Sequence, residues 1–574
     1  MKKRSIFITT LVLMLVMVCT TAFGVEQAVK EANAAKFGLW TLLPPLIAIV
    51  LAFITKNVVL SLFIGVFTGG ILLNINGLNI FSAMFYGFLR VVEEILASLA
   101  DSWNAGIILQ CLAIGGLIAL ITKMGGVRAI AEALAKKAKS QTSTQLITWF
   151  LGLCVFFDDY ANALIVGPIM RPITDKMRIS REKLSFIVDS TAAPIAGIAL
   201  ISTWVGFELG VIKDGYDSIV GYAGAVVKPY NIFIETIPFR FYNILVLVFI
   251  VCTAIFLREF GPMLKAERRA RKTGKVLRDG AKPMVSDEST EMEPVDGTKL
   301  KVSNALVPVL VLVIGSFLGF YYNGYVAISG GEDTALIELL KNSPASMLAI
   351  RECFGASDAA IVLFQAALLA GIVAMIMGVV QKIFTISEAI DTWVVGLKSM
   401  LITAVILLLA WSLSGIIKEL GTAIFIVDKV LAVNFPAFLL PSLIFVLGSI
   451  ISFATGTSYG TMGILMPLTI PLAYALDPTH SYMVVAISAV LTGAIFGDHC
   501  SPISDSTILS SMGSAADHID HVKTQVFYSL TVAAVTILCG YIPAGLGVSI
   551  WILLPVNILI IASIVRFVGK PVEA

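Results

Sequence analysis

The stretch Gly497-Asp498-His499-Cys500-Ser501-Pro502-Ile503-Ser504-Asp505-Ser506-Thr507 places two acids, a histidine, a cysteine and four hydroxyls between two apolar runs. Pro502 removes a backbone donor and breaks any helix running through it. Hard cations such as sodium prefer oxygen ligands, which Asp, Ser, Thr and the carbonyls of an opened turn supply. His499 has two readings, a proton relay or a hydrogen-bonded core residue. Cys500 has no partner at metal-ligand spacing.

What surrounds this stretch decides its setting. The chain has 574 residues, is 58% hydrophobic and 14% charged, and has a mean hydropathy of +0.93. An ordinary soluble domain is about 45–50% apolar and about 25% charged. The excess is too large for one core and runs along most of the chain, so the lipid bilayer is its solvent. A soluble enzyme, a nucleic-acid binder and a disordered scaffold are excluded. The net charge of +2 selects no acidic partner, and the seven cysteines, mostly in apolar runs, form no disulfide framework. No cofactor is expected.

Residues 1–24 combine a basic start, an apolar core and small residues at Ala22 and Gly24. They read either as a signal peptide or as a retained first helix. A spanning helix needs about 20 apolar residues. Spans are expected near 39–55, 58–75, 104–122, 183–207, 238–257, 304–323, 359–381, 399–417, 482–511, 524–545 and 549–566. Segments 81–100 and 384–398 are amphipathic and read as interfacial helices. The charged loop from Arg258 to Lys301 reads as a flexible cytoplasmic linker.

Two further apolar segments, 145–174 and 435–473, are interrupted by polar residues. The first is flanked by Lys136, Lys137 and Lys139 on one side and by Lys176, Arg178, Arg181 and Lys183 on the other. Basic flanks on one membrane side make it a re-entrant hairpin, with its tip at Phe157-Asp158-Asp159-Tyr160-Ala161-Asn162. Adjacent carboxylates at membrane depth are costly unless they meet a cation, a proton or a polar cavity. They also repel, which favours one proton shared between them. The second segment turns at Thr455-Gly456-Thr457-Ser458-Tyr459-Gly460-Thr461, where small hydroxyl residues allow a tight turn and close approach by an ion. A fourth polar centre, Asp189-Ser190-Thr191-Ala192-Ala193-Pro194, lies inside the 183–207 run. There Pro194 either frees carbonyls for a cation or makes a simple kink.

The two halves echo each other. Ile121-Thr122-Lys123-Met124-Gly125-Gly126 matches Ile417-Lys418-Glu419-Leu420-Gly421-Thr422, Asp159-Tyr160-Ala161 matches Ser458-Tyr459-Gly460, and Ala193-Pro194-Ile195 matches Ser501-Pro502-Ile503. An odd number of spans in each half inverts the second copy, a recurring design of secondary transporters. The expected fold is an all-α polytopic membrane protein with two inverted repeats of about five spans, each with a re-entrant hairpin and a broken helix. The expected divisions are 1–24, repeat 1 over 38–257, the linker 258–303, repeat 2 over 304–545, and a C-terminal helix and tail over 546–574.

The candidate cation-binding and proton-coupling residues are Asp158, Asp159, Asn162, Asp189, Thr191, Thr457, Ser458, Asp498, His499, Ser501, Ser504 and Asp505, with sodium at Asp159, Asp498 and Asp505. His518 and His521 are expected in a solvated cytoplasmic turn, Glu208 at the outer surface or lining the cavity, and Arg171 and Arg240 near membrane ends. The four centres hold no Lys or Arg, which disfavours an organic anion, although helix N-termini bind carboxylates unaided. An intramembrane aspartyl protease is disfavoured because Ile495-Phe496-Gly497 before Asp498 lacks the GxGD pattern.

GDHCSPISDSTILSS at 497–511, FFDDYAN at 156–162 and ATGTSYGT at 454–461 together resemble the NhaC family of sodium/proton antiporters, from about residue 40 onward. The resemblance implies exchange of sodium for protons by a multi-pass protein of the cytoplasmic membrane, with the 258–303 loop and the C-terminus cytoplasmic. Its implied partners are the sodium ion, the proton and the lipid bilayer, with no nucleic acid; a homodimer is compatible with it. Relatives that exchange sodium and protons with organic acids such as malate and lactate keep a second substrate class open.

Overall fold

The computed structural model describes residues 28–55, 57–75, 79–156, 158–219, 227–283, 299–331 and 333–573. The 1–24 segment and Phe157 of the first hairpin tip lie outside these residues. Nearly everything described is helix, and ten helices are long and apolar enough to cross a membrane. Pro229–Phe239 and Phe241–Phe256 form a further pair bent by 44°, and Val58–Asn74 is a shorter apolar helix. Two helices are central. His480–Cys500 is wholly enclosed by protein and Ser102–Lys123 largely so, whereas Ser303–Ser329 and Ile550–Val568 keep most of their apolar surface outward. An apolar helix exposed at the rim needs lipid to cover it.

The sequence-expected spans at 183–207 and 482–511 are not single helices. The first resolves into Arg181–Ser190, Ala193–Ala196 and Thr203–Asp217. Pro194 starts a new short helix after Ala192, whose φ −88°, ψ −96° is non-helical, and Ser202 caps the third piece through the Trp204 N–H. The second resolves into His480–Cys500 and Asp505–Ser514, parted at Ser501–Ser504 around Pro502. The first break falls at the Pro194 interruption expected from the sequence and extends through apolar residues to Ser202.

Both interrupted segments are helix pairs with short breaks. Gln141–Cys154 is followed by Asp159–Lys176, and Leu440–Thr455 by Ser458–Leu476. The second helices carry Pro168 and Pro172 in one copy and Pro467 and Pro471 in the other, at equivalent positions counted from Asp159 and Ser458. The order long helix, short helix, helix pair, broken helix runs from Ser102–Lys123 in the first half and again from Leu401–Leu420 in the second. A duplicated helical membrane fold is therefore visible in element order as well as in local sequence.

The 81–100 and 384–398 segments form Ile80–Ala100 and Ile386–Ser399, outside the helices apolar enough to span. Thr385 and Glu388 close a capping box at the start of the second. That helix lies tight on Ser102–Lys123, where a Cβ on Gly115 would stand 2.6 Å from the Gly396 carbonyl oxygen. The head of the 258–303 loop is ordered rather than a flexible linker. Arg258–Glu259 pairs with Lys570–Pro571, and Gly261–Thr273 is a helix burying Met263, Ala266, Glu267 and Ala270. A buried face at i, i+3, i+4 and i+7 was legible there as helical spacing and was masked by the Arg-rich composition.

Candidate functional site

Three helices that carry polar centres begin at one place, beside the Asn57-capped start of Val58–Asn74. Asp159, Ser458 and Asp505 are each the first residue of a helix, and all three line a cavity of ≈ 260 Å³. Helix starts present unpaired N–H groups and a partial positive charge, so carboxylates are stabilised there. The rest of the lining includes Asn57, Tyr160, Trp204, Thr403, Thr455, Gly456, Thr457, Tyr459, Asp498, Ser504 and Ser506. No Lys or Arg lines it among the described residues.

Each carboxylate is oriented by a different neighbour. The Ser458 hydroxyl donates to Asp498 Oδ2 at 2.8 Å, while Asp498 Oδ1 is buried without a hydrogen-bond partner. The Trp204 Nε1–H donates to Asp159 Oδ1 at 3.1 Å, and the Tyr160 hydroxyl donates to Asp505 Oδ2 at 3.3 Å. Asp159 and Asp498 are buried and Asp505 is exposed, which puts Asp505 at the mouth. The rings of Trp204 and Tyr459 meet with centroids 4.9 Å apart, so the first half packs on the second beside the carboxylates. Gly456 turns the second hairpin at φ +67°, and a Cβ there would lie 2.6 Å from the Ile503 carbonyl oxygen.

The remaining sequence candidates have other positions. Asp158 is buried and accepts from Thr203 Oγ1 at 3.4 Å, away from the cavity lining. Asn162 donates to the carbonyls of Gly152 at 2.8 Å and Thr191 at 2.7 Å, tying the first hairpin to the first broken helix. The Thr191 hydroxyl is satisfied by the Ile187 carbonyl at 2.9 Å. Ser501 bonds the Phe453 carbonyl at 2.7 Å, and Ser504 pairs with Ser506 at 3.0 Å. Thr457 lines the cavity and caps the helix beginning at Ser458. The structure thus gathers Asp159, Thr457, Ser458, Asp498, Ser504 and Asp505 at the cavity, and leaves Asp158, Asn162, Asp189, Thr191, His499 and Ser501 outside its lining.

Behind the cavity lies a buried polar cluster with no lining role. His499 contacts Ser190 through Nε2 at 3.0 Å and Tyr242 through Nδ1 at 2.7 Å. Asp189 Oδ2 accepts from Gln525 Nε2 at 2.6 Å and faces His521 Nε2 at 3.2 Å. His521 is fully buried and is not part of a solvated turn. His518 is near the surface, where Nε2 meets the Pro502 carbonyl at 2.7 Å. Glu208 and Arg240 are also fully enclosed, paired at 2.7 Å, rather than at the outer surface and a membrane end. Trp204, Tyr160 and Asn57 were missed as cavity residues, and His521 and Gln525 as members of the buried cluster behind it. Only Tyr160, inside the FFDDYAN motif, carried a local signal; the others are joined to the site by packing over long sequence separations.

Fold and cavity define a multi-pass helical membrane protein whose discontinuous helices converge on a group of carboxylates, the architecture of a transporter. The chain belongs to the Na+/H+ antiporter family, whose profile matches residues 4–202 and 195–546. It is 32% identical over 508 residues to an uncharacterized protein of Haemophilus influenzae, covering 88% of this chain and 91% of that one. A Malate-2H(+)/Na(+)-lactate antiporter of Bacillus subtilis is 39% identical over 99 residues, 17% of this chain and 20% of that one. The Na(+)/H(+) antiporter NhaC of Alkalihalophilus pseudofirmus is 29% identical over 157 residues, 26% and 31% of the two chains. Among solved structures, the Alcanivorax borkumensis YdaH transporter has a similar fold, with TM-score 0.52 and 14% identity over 82% of this chain and 90% of that one.

Proposed function

We propose that this protein exchanges sodium for protons across the cytoplasmic membrane by alternating access, with sodium held by Asp159 and Asp498 and admitted past Asp505. The observation that carries the reading is the convergence of these three carboxylates, from both halves of the chain, on one cavity. Carboxylates sharing a cavity repel one another, and either a sodium ion or protons relieve that repulsion. Two cations competing for the same oxygens give exchange without a separate coupling device, because each occupant excludes the other. Ser458, Thr457, Ser504 and the carbonyls freed at the helix breaks supply the neutral oxygens a hard cation needs.

Family membership, and the short alignment with NhaC, support this substrate pair. The two hairpins are re-entrant in this reading and the second repeat is inverted relative to the first, so rocking one repeat against the other opens the cavity to alternate sides. The 258–303 loop and the C-terminus are cytoplasmic by their Lys and Arg content. A second reading, carriage of an organic acid, is favoured by the three helix starts, which bind carboxylates as readily as they stabilise acidic side chains. The absence of Lys and Arg among the described lining residues weighs against it.

Proteoliposomes containing a pH dye separate the two. Sodium applied outside is expected to drive proton efflux at the same rate with and without malate or lactate. Proton movement that requires the organic acid would replace the first reading with the second.

A further inference from the structure

The cavity carboxylates leave a second acid unused. Asp189 and His521 are fully buried, face each other at 3.2 Å, and lie outside the cavity lining. Gln525 donates to Asp189 Oδ2 at 2.6 Å and also to the carbonyl of His499, the residue after Asp498. Asp189 Oδ1, His521 Nδ1 and Gln525 Oε1 are buried with no hydrogen-bond partner. We infer that Asp189 and His521 form a second proton-binding centre, distinct from the cavity and joined through Gln525 to the helix end that carries Asp498. The inference rests on the cavity being the sodium site.

Charge accounting supports it. Lys183, the nearest buried cation on the Asp189 helix, is committed to Glu259 at 2.8 Å and to Thr253 at 2.8 Å. An ionised Asp189 therefore has only imidazoles as local counter-ions, His521 in contact with it and His499 close by. With one proton between them the pair is neutral, either as imidazolium–carboxylate or as imidazole–carboxylic acid. Without that proton it carries a full negative charge out of contact with water, which protein interiors disfavour strongly.

Neighbouring groups leave this balance intact. The helix ending at Cys500 presents His499, Cys500 and Asp498, and the helix beginning at Phe241 presents Tyr242. The Asp189 and His521 helices add Lys183 and Tyr528, and Glu259, Glu267 and Arg271 approach from the Arg258–Thr273 segment. Lys183 is neutralised by Glu259, and Glu267 faces Arg271 at 3.7 Å.

Coupling follows from sign. A negative charge behind Asp498 attracts a cation into the cavity, and by reciprocity a bound sodium ion promotes loss of the proton from the pair. The proton leaves to solvent as the sodium ion enters, so the net charge of the buried region is unchanged. The centre thus adds one proton to those exchanged at the cavity carboxylates.

Two measurements on the purified full-length protein test this separately from the sodium site. In sodium-free buffer, infrared difference spectra between about pH 5 and pH 9 should show carboxyl and imidazole bands that titrate together. The bands that titrate as a pair should be lost in both Asp189→Asn and His521→Gln, read as wild-type-minus-variant spectra that leave the cavity carboxylates and the other histidines in place. His521→Gln retains the Gln525 bond should the first variant fold poorly. Calorimetry in buffers of different ionisation heat should then show His521→Gln still binding sodium while releasing about one proton fewer per ion. Wild-type-minus-variant spectra with no paired carboxyl and imidazole bands, or an unchanged proton count, overturn the inference. Wild-type protein that shows the bands but binds no sodium removes the cavity reading, and with it the coupling, while identifying the proton site.

Discussion

At Asp498 one carboxylate oxygen is fixed by Ser458 and the other is left open beside the cavity. That arrangement orients the group at little cost and keeps a ligand position available. Asp498→Asn and Asp159→Asn are expected to abolish exchange while thermal unfolding stays near wild type, since neither removes volume. Sodium-dependent proton flux that persists in both variants would reject their assignment. Ser458→Ala removes a hydrogen bond to a charged group, worth about 1.5–3 kcal/mol. Apparent sodium affinity should weaken about tenfold or more in calorimetry. The acids, Ser458 and Thr457 were legible because each is polar in an apolar run. Trp204 and His521 were not, because an indole suits an apolar core and His521 reads as part of a solvated turn. Their partners, Asp159 and Asp189, stand 45 and 332 residues away.

Among the elements, the breaks carry the consequences. Asn162 ties the Gly152 and Thr191 carbonyls together, so Asn162→Leu leaves the Thr191 carbonyl without this donor, at about 1–3 kcal/mol, while that of Gly152 keeps the Val155 N–H. A lowered thermal midpoint with slowed exchange is the expected outcome. The bent pair Pro229–Phe239 and Phe241–Phe256 depends on a buried ion pair at its corner. Removing one partner of such a pair costs about 3–5 kcal/mol, whereas replacing both with apolar groups of similar size is often neutral. Arg240→Met alone should therefore destabilise the protein strongly, and Glu208→Leu with Arg240→Met should recover most of the loss in a denaturation series.

At the start of the helix that carries His521, Asp517 is the cap and accepts from the Lys282 N–H at 2.8 Å. Burial alone would raise its carboxyl, but donation from the backbone N–H groups of Lys282, Asp520 and Ile519 outweighs this and holds it below the usual carboxylate range. A lowered folded value means its stabilisation is complete above the unfolded carboxylate range and is lost as pH falls through the folded one. Asp517→Ala should cost about 1 kcal/mol near neutral pH and progressively less in acid. The two hairpins were legible as elements because Gly456 and the Asp158-Asp159 pair interrupt otherwise apolar runs. The break at Pro194 was legible from its proline, but its extent to Ser202 was not, because the residues between are apolar; the helix after Gly261 was masked by its arginines.

For the whole molecule, duplication explains why three helix starts meet: equivalent breaks in the two copies approach each other where the halves pack. The prolines at 168 and 172 and at 467 and 471 were a repeat signal as clear as any motif match, and they became informative once each pair was seen inside one helix. Which side chains the duplication brings together was not legible, because it depends on how the copies pack. Competition between sodium and protons for that meeting place is the central claim. Sodium-binding calorimetry on the wild-type protein between about pH 6 and pH 9 tests it most directly. Apparent affinity should fall about tenfold per unit of decreasing pH for one competing proton, and more steeply for two, then level off once the carboxylates are ionised. A sodium affinity that is constant across this range would contradict the account.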